Sequence, residues 1–339
     1  MSLRTHIYSL AKHLGGFRLA SGLTRDALNI LCYHGMSFTD EHLFRPKLFQ
    51  SVAVFESRMR RLKSLGYRTL NLDEGLRKLA DGTLERRDVV ITVDDGFHGF
   101  HALAAPILER LGLSATIYVT TYYVIHNNPV YRLALQYLFW KTPVTHLQLD
   151  DLLTGTSGPC PVRGPEGKAL MDQLMTHGET QLGEEARQDL LDELGRRMQV
   201  DTAELRASRR LTLMNAEQIR DLSQRGFDIQ LHTHRHWLPA DDALATRELV
   251  DNRAVLEPLI GRPLHHLCYP SGEWSQAVWP SLNANAVRSA TTCEPGLNTR
   301  ATPPLALRRF LDFDDTPEIV FEAELSGFSS LLRNALGRA

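Results

Sequence analysis

Short apolar runs rich in β-branched residues alternate along this chain with segments of helical periodicity. Runs at Ala27–Tyr33, Val89–Val93, Ala115–Thr120, Phe227–Leu231, His265–Tyr269, Ser289–Thr292 and Leu305–Phe310 read as strands. The helical segments between them carry their own start and stop signals. Ser51 precedes a helix over Val52–Leu65 that ends at Gly66. Asn215 with Gln218 makes a capping-box pattern ahead of Ala216–Arg225, which Gly226 stops. Asp241 or Asp242 opens a further helix to Ile260, closed by Gly261 and Pro263. Strand and helix recurring in this order predict an α/β fold assembled from β/α units.

Residues from about 121 to 213 break the alternation. An aromatic-rich opening, Tyr122-Tyr123 to Phe139-Trp140, leads into a Gly/Pro loop over Gly155–Gly167. Charged helical sequence follows at Glu184–Met198 and Ala203–Arg210. This reads as a mostly helical insertion, serving either stability or as a cap that walls a substrate cleft. The expected organisation is a basic helical segment over 1–26, a β/α domain over 27–325 carrying the insertion, and a C-terminal tail over 326–339. The stretch from Arg4 to Arg25 mixes basic residues with leucines and alanines. Two readings stay open for it: a helix docked on the main domain, or an amphipathic helix in peripheral contact with a membrane.

Composition narrows the function classes. A chain of 339 residues with 43% apolar and 23% charged residues is ordinary for a globular protein with a large core. Its formal net charge of -2 supplies no global field for nucleic acid, so no nucleic-acid partner is expected. No run approaches the ~18 to 20 apolar residues of a membrane span. The opening Met1-Ser2-Leu3-Arg4-Thr5-His6 lacks a sustained apolar core and cleavage site, which predicts a cytoplasmic location. Cys32, Cys160, Cys268 and Cys293 form no C-x-x-C pair, which excludes a thiolate zinc finger and leaves small buried thiols as the expectation.

The chemistry concentrates at two strand ends. Val89-Val90-Ile91-Thr92-Val93 runs into Asp94-Asp95-Gly96, and Phe227–Leu231 runs into His232-Thr233-His234-Arg235-His236. One carboxylate and two imidazoles are the ligand set of a catalytic zinc-type site, and the other carboxylate is then free to act as a general base. Each piece alone has a plainer reading. An Asp-Asp-Gly after a strand caps helices, here Phe97–Leu111, and a histidine pair suits a polar loop. Together and in this order they point to a metal-dependent hydrolase. Thr233 is expected to hold the histidine turn by a local hydrogen bond, with His234 directed away. Three further strand ends offer partners. His34 could protonate a leaving group, the Tyr269-Pro270-Ser271-Gly272 turn could aim a backbone N–H at an oxyanion, and Arg308-Arg309 could hold a carboxylate.

These residues resemble a known family. Thr92-Val93-Asp94-Asp95-Gly96 is similar to the T-F-D-D-G motif of the polysaccharide deacetylases, the NodB-homology family also called carbohydrate esterase family 4. His232-Thr233-x-x-His236 resembles their H-[ST]-x-x-H motif, and Tyr269-Pro270-Ser271-Gly272 their P-P-Y-G turn. The resemblance spans Leu28 to about Phe310, without the insertion. It implies a distorted (β/α)7 barrel that removes acetyl groups from N-acetylated sugars. By that likeness Asp94 is the general base and Asp95, His232 and His236 bind one divalent transition metal. Zinc comes first, and cobalt, nickel or manganese suit the same set. The N–H near Ser271 would complete the oxyanion hole.

Two departures carry information. Cys268 replaces the arginine that usually precedes the P-P-Y-G turn, so Arg309 is the expected replacement partner for Asp94. No histidine follows His266, yet Tyr33-His34-Gly35 resembles the missing late motif moved to the N-terminus, as in circularly permuted members acting on exopolysaccharides. His34 is therefore the expected general acid. Trp237 and Trp274 directly follow site motifs and are expected to stack on sugar rings, whereas Tyr122 and Tyr123 read as ordinary burial. The implied partner is an N-acetylated glycan or glycan precursor. Two alternatives are another amide or imide hydrolase on the same scaffold and a catalytically silent carbohydrate-binding relative.

Overall fold

The computed structural model describes residues 3–155 and 157–337, so Met1 and Ser2 of the expected N-terminal segment and Arg338 and Ala339 of the expected tail lie outside the described residues. By its internal contacts the chain divides into one unit of 1–122 with 216–339 and a second of 123–215.

The first unit is built on an all-parallel sheet. Its strands are β1 (Asn29–Tyr33), β2 (Arg68–Leu70), β3 (Asp88–Val93), β4 (Thr116–Val119), β5 (Asp228–Leu231), β6 (His266–Cys268), β7 (Ser289–Thr291) and β8 (Phe310–Leu311). The order across the sheet is β7-β6-β5-β4-β3-β1-β8, with β2 beside the first half of β3. Strands β1, β3 and β4 are buried along their whole length, as parallel strands covered on both faces must be. The segment leading into β8 curls the sheet towards closure. Leu307 bridges to Thr291 at the β7 edge, and Phe310–Leu311 then pairs with β1 at the other edge. A parallel sheet curled in this way and wrapped by helices is a (β/α) barrel of the NodB type.

Three of the differences between expected and observed elements bear on how the main sheet is built. The run Leu305–Phe310 is not a continuous strand. Pro304–Ala306 forms a 3₁₀ turn, and only Phe310–Leu311 pairs as a strand, because this segment crosses from one sheet edge to the other. The expected helix Phe97–Leu111 starts as a π turn over Phe100–Ala104, and regular α-helix begins at Ala105. Pro106 lacks the N–H that would bond the Ala102 carbonyl, and the wider turn accommodates that loss. Strand β2 was not expected, since three residues opening on a half-exposed arginine carry no alternating pattern.

The helices follow their caps. Helix α1 (Leu3–His13) and α2 (Gly16–Leu23) come first. Ser51 caps α3 (Val52–Ser64) by accepting from the Val54 N–H, and Asp241 caps α4 (Asp242–Ile260) from the Leu244 N–H. Near the C-terminus stand α5 (Glu318–Leu325) and α6 (Phe328–Ala335). Tyr8, Phe17, Val320 and Ala323 form one buried cluster, which docks α1 and α2 on the C-terminal helices.

The second unit is mostly helical, with helices at Tyr131–Lys141, Gly164–Gln181, Glu184–Met198 and Thr202–Ser208. His146–Gln148 and Pro159–Pro161 add a short antiparallel ribbon. Leu135, Leu138, Leu174, Leu191, Leu194 and Met198 are buried in it, and the Tyr131 hydroxyl donates to the Leu174 carbonyl.

One glycine fixes how β1 leaves the sheet. A Cβ on Gly35 would lie 2.4 Å from the ring of buried Phe49, whose strand Phe49–Ser51 pairs with Gly35–Ser37. Gly35→Ala is expected to lower unfolding free energy by about 1–3 kcal/mol through overpacking, measured by urea titration. Adding Phe49→Leu should recover part of the loss. An unchanged midpoint in the single variant would show that the ring moves freely.

Candidate active site

The site forms where β3 ends. Adjacent residues on a strand point to opposite faces, so two neighbouring carboxylates converge only if the chain turns sharply between them. It does so here. Asp95 and Gly96 both adopt left-handed backbone, with φ of 70° and 82°. The Gly96 N–H closes the turn on the Asp94 carbonyl at 2.9 Å. A side chain at position 96 would meet Val119 at 3.0 Å, so both backbone conformation and space favour glycine.

Asp94 and Asp95 then enter different environments. Asp94 is buried against the fully buried Arg309, with Nη1 donating to Oδ1 at 2.6 Å and Nη2 to Oδ2 at 2.7 Å. Burial would raise the pKa of the Asp94 carboxyl. The guanidinium, through its charge and two hydrogen bonds, wins and holds it well below the usual carboxylate range. The rest of Arg309 is also satisfied: Nε donates to the Thr292 carbonyl, Nη1 to Thr92 Oγ1, and Nη2 lies 3.2 Å from Cys268 Sγ. Cys32 and Cys268 each place Sγ near Asp94 Oδ2, at 3.5 and 3.3 Å. Burial pushes both thiols well up, so they stand as neutral weak donors.

Asp95 instead faces two imidazoles. Its Oδ1 lies 3.1 Å from His232 Nε2 and 3.2 Å from His236 Nε2. His232 Nδ1 sits 2.8 Å from the Cys268 carbonyl, an obligate acceptor, so Nδ1 carries the proton. The Nε2 of a neutral ring would then point a lone pair at a carboxylate oxygen. That contact is favourable only when a cation is shared between them, either a proton or a metal ion. An outer carbonyl that fixes the tautomer is what metal-bound histidines ordinarily have. Ligand atoms of Asp95, His232 and His236 all lie within 4.8 Å of one another, so the donor set fits one divalent ion. Two other groups share that spacing, Cys32–His34–Asp94 and Asp94–His232–Cys268. Both would set a second cation on an Asp94 oxygen already bonded to the cationic Arg309 guanidinium.

The histidine turn is held from several sides. Thr233 Oγ1 accepts from the Trp237 N–H at 3.1 Å, the local bond expected of it. Thr233 and His236 both have positive φ, 62° and 57°. Thr120 Oγ1 lies within 3.5 Å of the carbonyls of His232, Thr233 and His234. Asn252 of α4 accepts from the His232 N–H and donates to the Val119 carbonyl and Thr121 Oγ1. His234 turns from the ligand cluster and is buried, its Nδ1 2.8 Å from Thr121 Oγ1. Thr120, Thr121 and Asn252 were not picked out in the sequence. Two threonines closing a strand were the available signal, and Asn252 gave none beyond being polar within a helix.

His34 projects from the end of β1 with Nε2 3.6 Å from Asp94 Oδ2, half-buried and open on one side. Cys268 touches both halves of the site and leads into the turn Tyr269–Gly272. Within that turn the N–H groups of Tyr269, Gly272 and Glu273 bond the carbonyls of Thr291, Tyr269 and Pro270. Among the described residues no carbonyl takes the Ser271 N–H, and Ser271 has a φ of 58°. The Tyr269 side chain does not face a ligand: it is buried and its hydroxyl donates to the Leu305 carbonyl. Trp274 stacks between Tyr269 and Trp279 with its Nε1 on Glu294, whereas Trp237 is 53% exposed.

Comparison with known proteins finds likeness in a segment of sequence and in fold. The polysaccharide deacetylase family model matches residues 196–290, which hold the histidine turn and the Tyr269–Gly272 turn. No curated protein matches the sequence. In fold, the chain is similar to the Streptococcus pyogenes deacetylase PplD solved with acetate, with TM-score 0.58, 18% identity, and 87% of this chain and 97% of that one covered. It is also similar to IcaB from Ammonifex degensii, with TM-score 0.55, 16% identity and coverages of 88% and 97%. A de-N-acetylase from Aggregatibacter actinomycetemcomitans gives TM-score 0.55, 13% identity and coverages of 86% and 97%. The resemblance to polysaccharide deacetylases thus holds in fold and in a segment of sequence.

The Asp94–Arg309 pair has a testable pH signature. A carboxyl whose folded pKa is depressed adds stability that is present above its unfolded value, about 4, and is lost as pH falls through the folded value. Arg309→Met leaves Asp94 buried and alone, at a cost of about 3–5 kcal/mol. Burial then raises the Asp94 pKa, so that deficit should shrink on acidification while the parent loses stability. Urea titrations between pH 2.5 and 8 read both slopes, the variant's above pH 4 and the parent's below it. A deficit that does not change with pH would mean that Asp94 is not the group responding.

Proposed function

We propose that this chain is a metal-dependent N-deacetylase that hydrolyses the acetamide of an N-acetylated amino sugar in a glycan or glycan precursor. The observation that carries the reading is the splitting of two adjacent carboxylates, one to a buried guanidinium and one to two imidazoles. A divalent ion held by Asp95, His232 and His236, zinc first, would polarise the acetamide carbonyl and acidify water.

The chain's own groups account for the remaining steps. Arg309 keeps Asp94 ionised and fixes its plane, so a carboxylate oxygen is always ready to accept a proton from the attacking water. Because that pairing lowers proton affinity, Asp94 acts as a positioned acceptor that gives its proton up readily. The Ser271 N–H is the donor for the oxyanion as the carbonyl carbon becomes tetrahedral. His34 Nε2 then delivers a proton to the departing nitrogen, and the C–N bond breaks to acetate and a free amine. The exposed face of Trp237 offers apolar surface for a sugar ring, and Trp274 with Glu294 forms a more rigid wall.

Metal content and acetate release test these roles together. The parent is expected to bind zinc stoichiometrically after reconstitution and to release acetate from an acetylated β-linked glucosamine oligomer. Asp95→Ala should lose both properties. Asp94→Asn should keep the metal and lose about 10²–10⁴-fold in turnover, and His34→Ala should slow release with metal retained. Full acetate release by Asp95→Ala, or by the chelated parent, would sink the proposal.

A further inference from the structure

We propose that the outer face of α1 and α2 docks on an anionic lipid bilayer. The two helices are apolar on two sides. Tyr8, Phe17 and Ala20 point inward to the C-terminal helices. On the outside, Ile7 and Leu10 of α1 and Leu14 just after its end follow helical spacing, and Leu19 and Leu23 lie four apart on α2. These five are between 46% and 78% exposed. With Leu336 after α6 they make six of the twelve large apolar side chains exposed among the described residues. A ridge of this kind stands outside what a surface of scattered apolar residues explains.

Charge selects the occupant. Residues 4–25 contain Arg4, Lys12, Arg18 and Arg25 and no acidic residue, in a chain whose net charge is -2. Asp26 lies beside Arg25. Of the carboxylates of α5, Glu322 and Glu324 are buried and each is shared by two cations, Glu322 by Lys12 and Arg61, Glu324 by Arg4 and Arg333, while the exposed Glu318 lies by Arg61. Beside α2 a cavity of about 280 Å³ is lined by Lys12, Arg18, Arg86 and Arg87, with Tyr67 and Glu322. Arg86 is aimed there by Ser21 Oγ and the Arg18 carbonyl, each at 3.0 Å. Among the described residues no carboxylate pairs with Arg18, Arg86 or Arg87. Arg18 lines this cavity one position before the exposed Leu19, and guanidiniums sharing a cavity on the helix that carries the leucines suit a phosphate headgroup whose acyl chains meet them. A protein partner would more commonly meet aromatic anchors, and the ridge contains none. No helix among the described residues is long and apolar enough to cross a membrane, so the contact is interfacial.

Flotation of the full chain with vesicles tests this. The parent should float with phosphatidylcholine vesicles containing phosphatidylglycerol, bind pure phosphatidylcholine far less, and be released by salt. Each leucine buried in lipid raises partitioning by about tenfold. The variant L10D/L14D/L19D should therefore lose well over tenfold, with its circular dichroism and acetate release unchanged. R18E/R87E keeps the leucines and should lose the preference for anionic vesicles. A parent that stays in buffer with both vesicles, or variants that float as well as the parent, would overturn the proposal. A parent that dimerises through this face in sedimentation without floating would overturn it too, and would assign the ridge to a second copy of the chain.

Discussion

A guanidinium is tolerated in a dry interior only when its donors are satisfied and its charge is matched. Arg309 meets both conditions through Asp94, Thr92, Cys268 and the Thr292 carbonyl. Those partners come from β3, β6 and the end of β7, and Arg309 itself lies on the segment that carries the chain back to β1. One side chain therefore ties together four parts of the curled sheet at the end where its strands stop. It also decides what each carboxylate can do. With both Asp94 oxygens bonded to the guanidinium, it is Asp95 that faces the two imidazoles. The division of labour between two adjacent, chemically identical side chains thus follows from where a single arginine sits.

The price appears in the backbone. Asp95, Thr233, His236 and Ser271 hold four of the eight positive-φ conformations found outside glycine among the described residues. Each costs on the order of 1 kcal/mol or more for a residue with a side chain. The histidine turn is held from outside, with Thr120 donating to the Thr233 carbonyl and His232 donating to Asn252 Oδ1 and to the Cys268 carbonyl. These supports stand behind the groups that would meet substrate, and they fix direction where the strand ends alone would leave it loose.

Much of this was legible in the sequence. The runs ending in Asp94-Asp95-Gly96 and in His232–His236 marked the strand ends that build the cluster, because β-branched runs and chemistry-bearing residues sit next to each other there. The departures were readable as well: Cys268 in place of an arginine turned attention to Arg309, which the fold brings within 2.7 Å of Asp94 across more than two hundred residues. Three things were not legible. Strand β2 is too short and too exposed to show a period. The segment Leu305–Phe310 is apolar enough to read as a strand, yet it spends most of its length crossing between edges. Tyr269 belongs to a turn that resembles a ligand-binding motif, but its own ring and hydroxyl brace the core, since backbone and side chain of one residue can serve different ends. Asn252 marks the remaining limit: a polar residue on a helix reveals its partners only once the sheet beneath it is known.

The position of Arg309 late in the chain has a consequence for biosynthesis. A ribosome delivers Asp94 long before it delivers the guanidinium that pairs with it, so for more than two hundred codons the growing chain carries this carboxylate without Arg309. Strands β3 to β7 can assemble during that time, but the inner end of the sheet has reason to stay hydrated until the closing segment arrives. The same segment thus both closes the sheet and completes the Asp94–Arg309 pair.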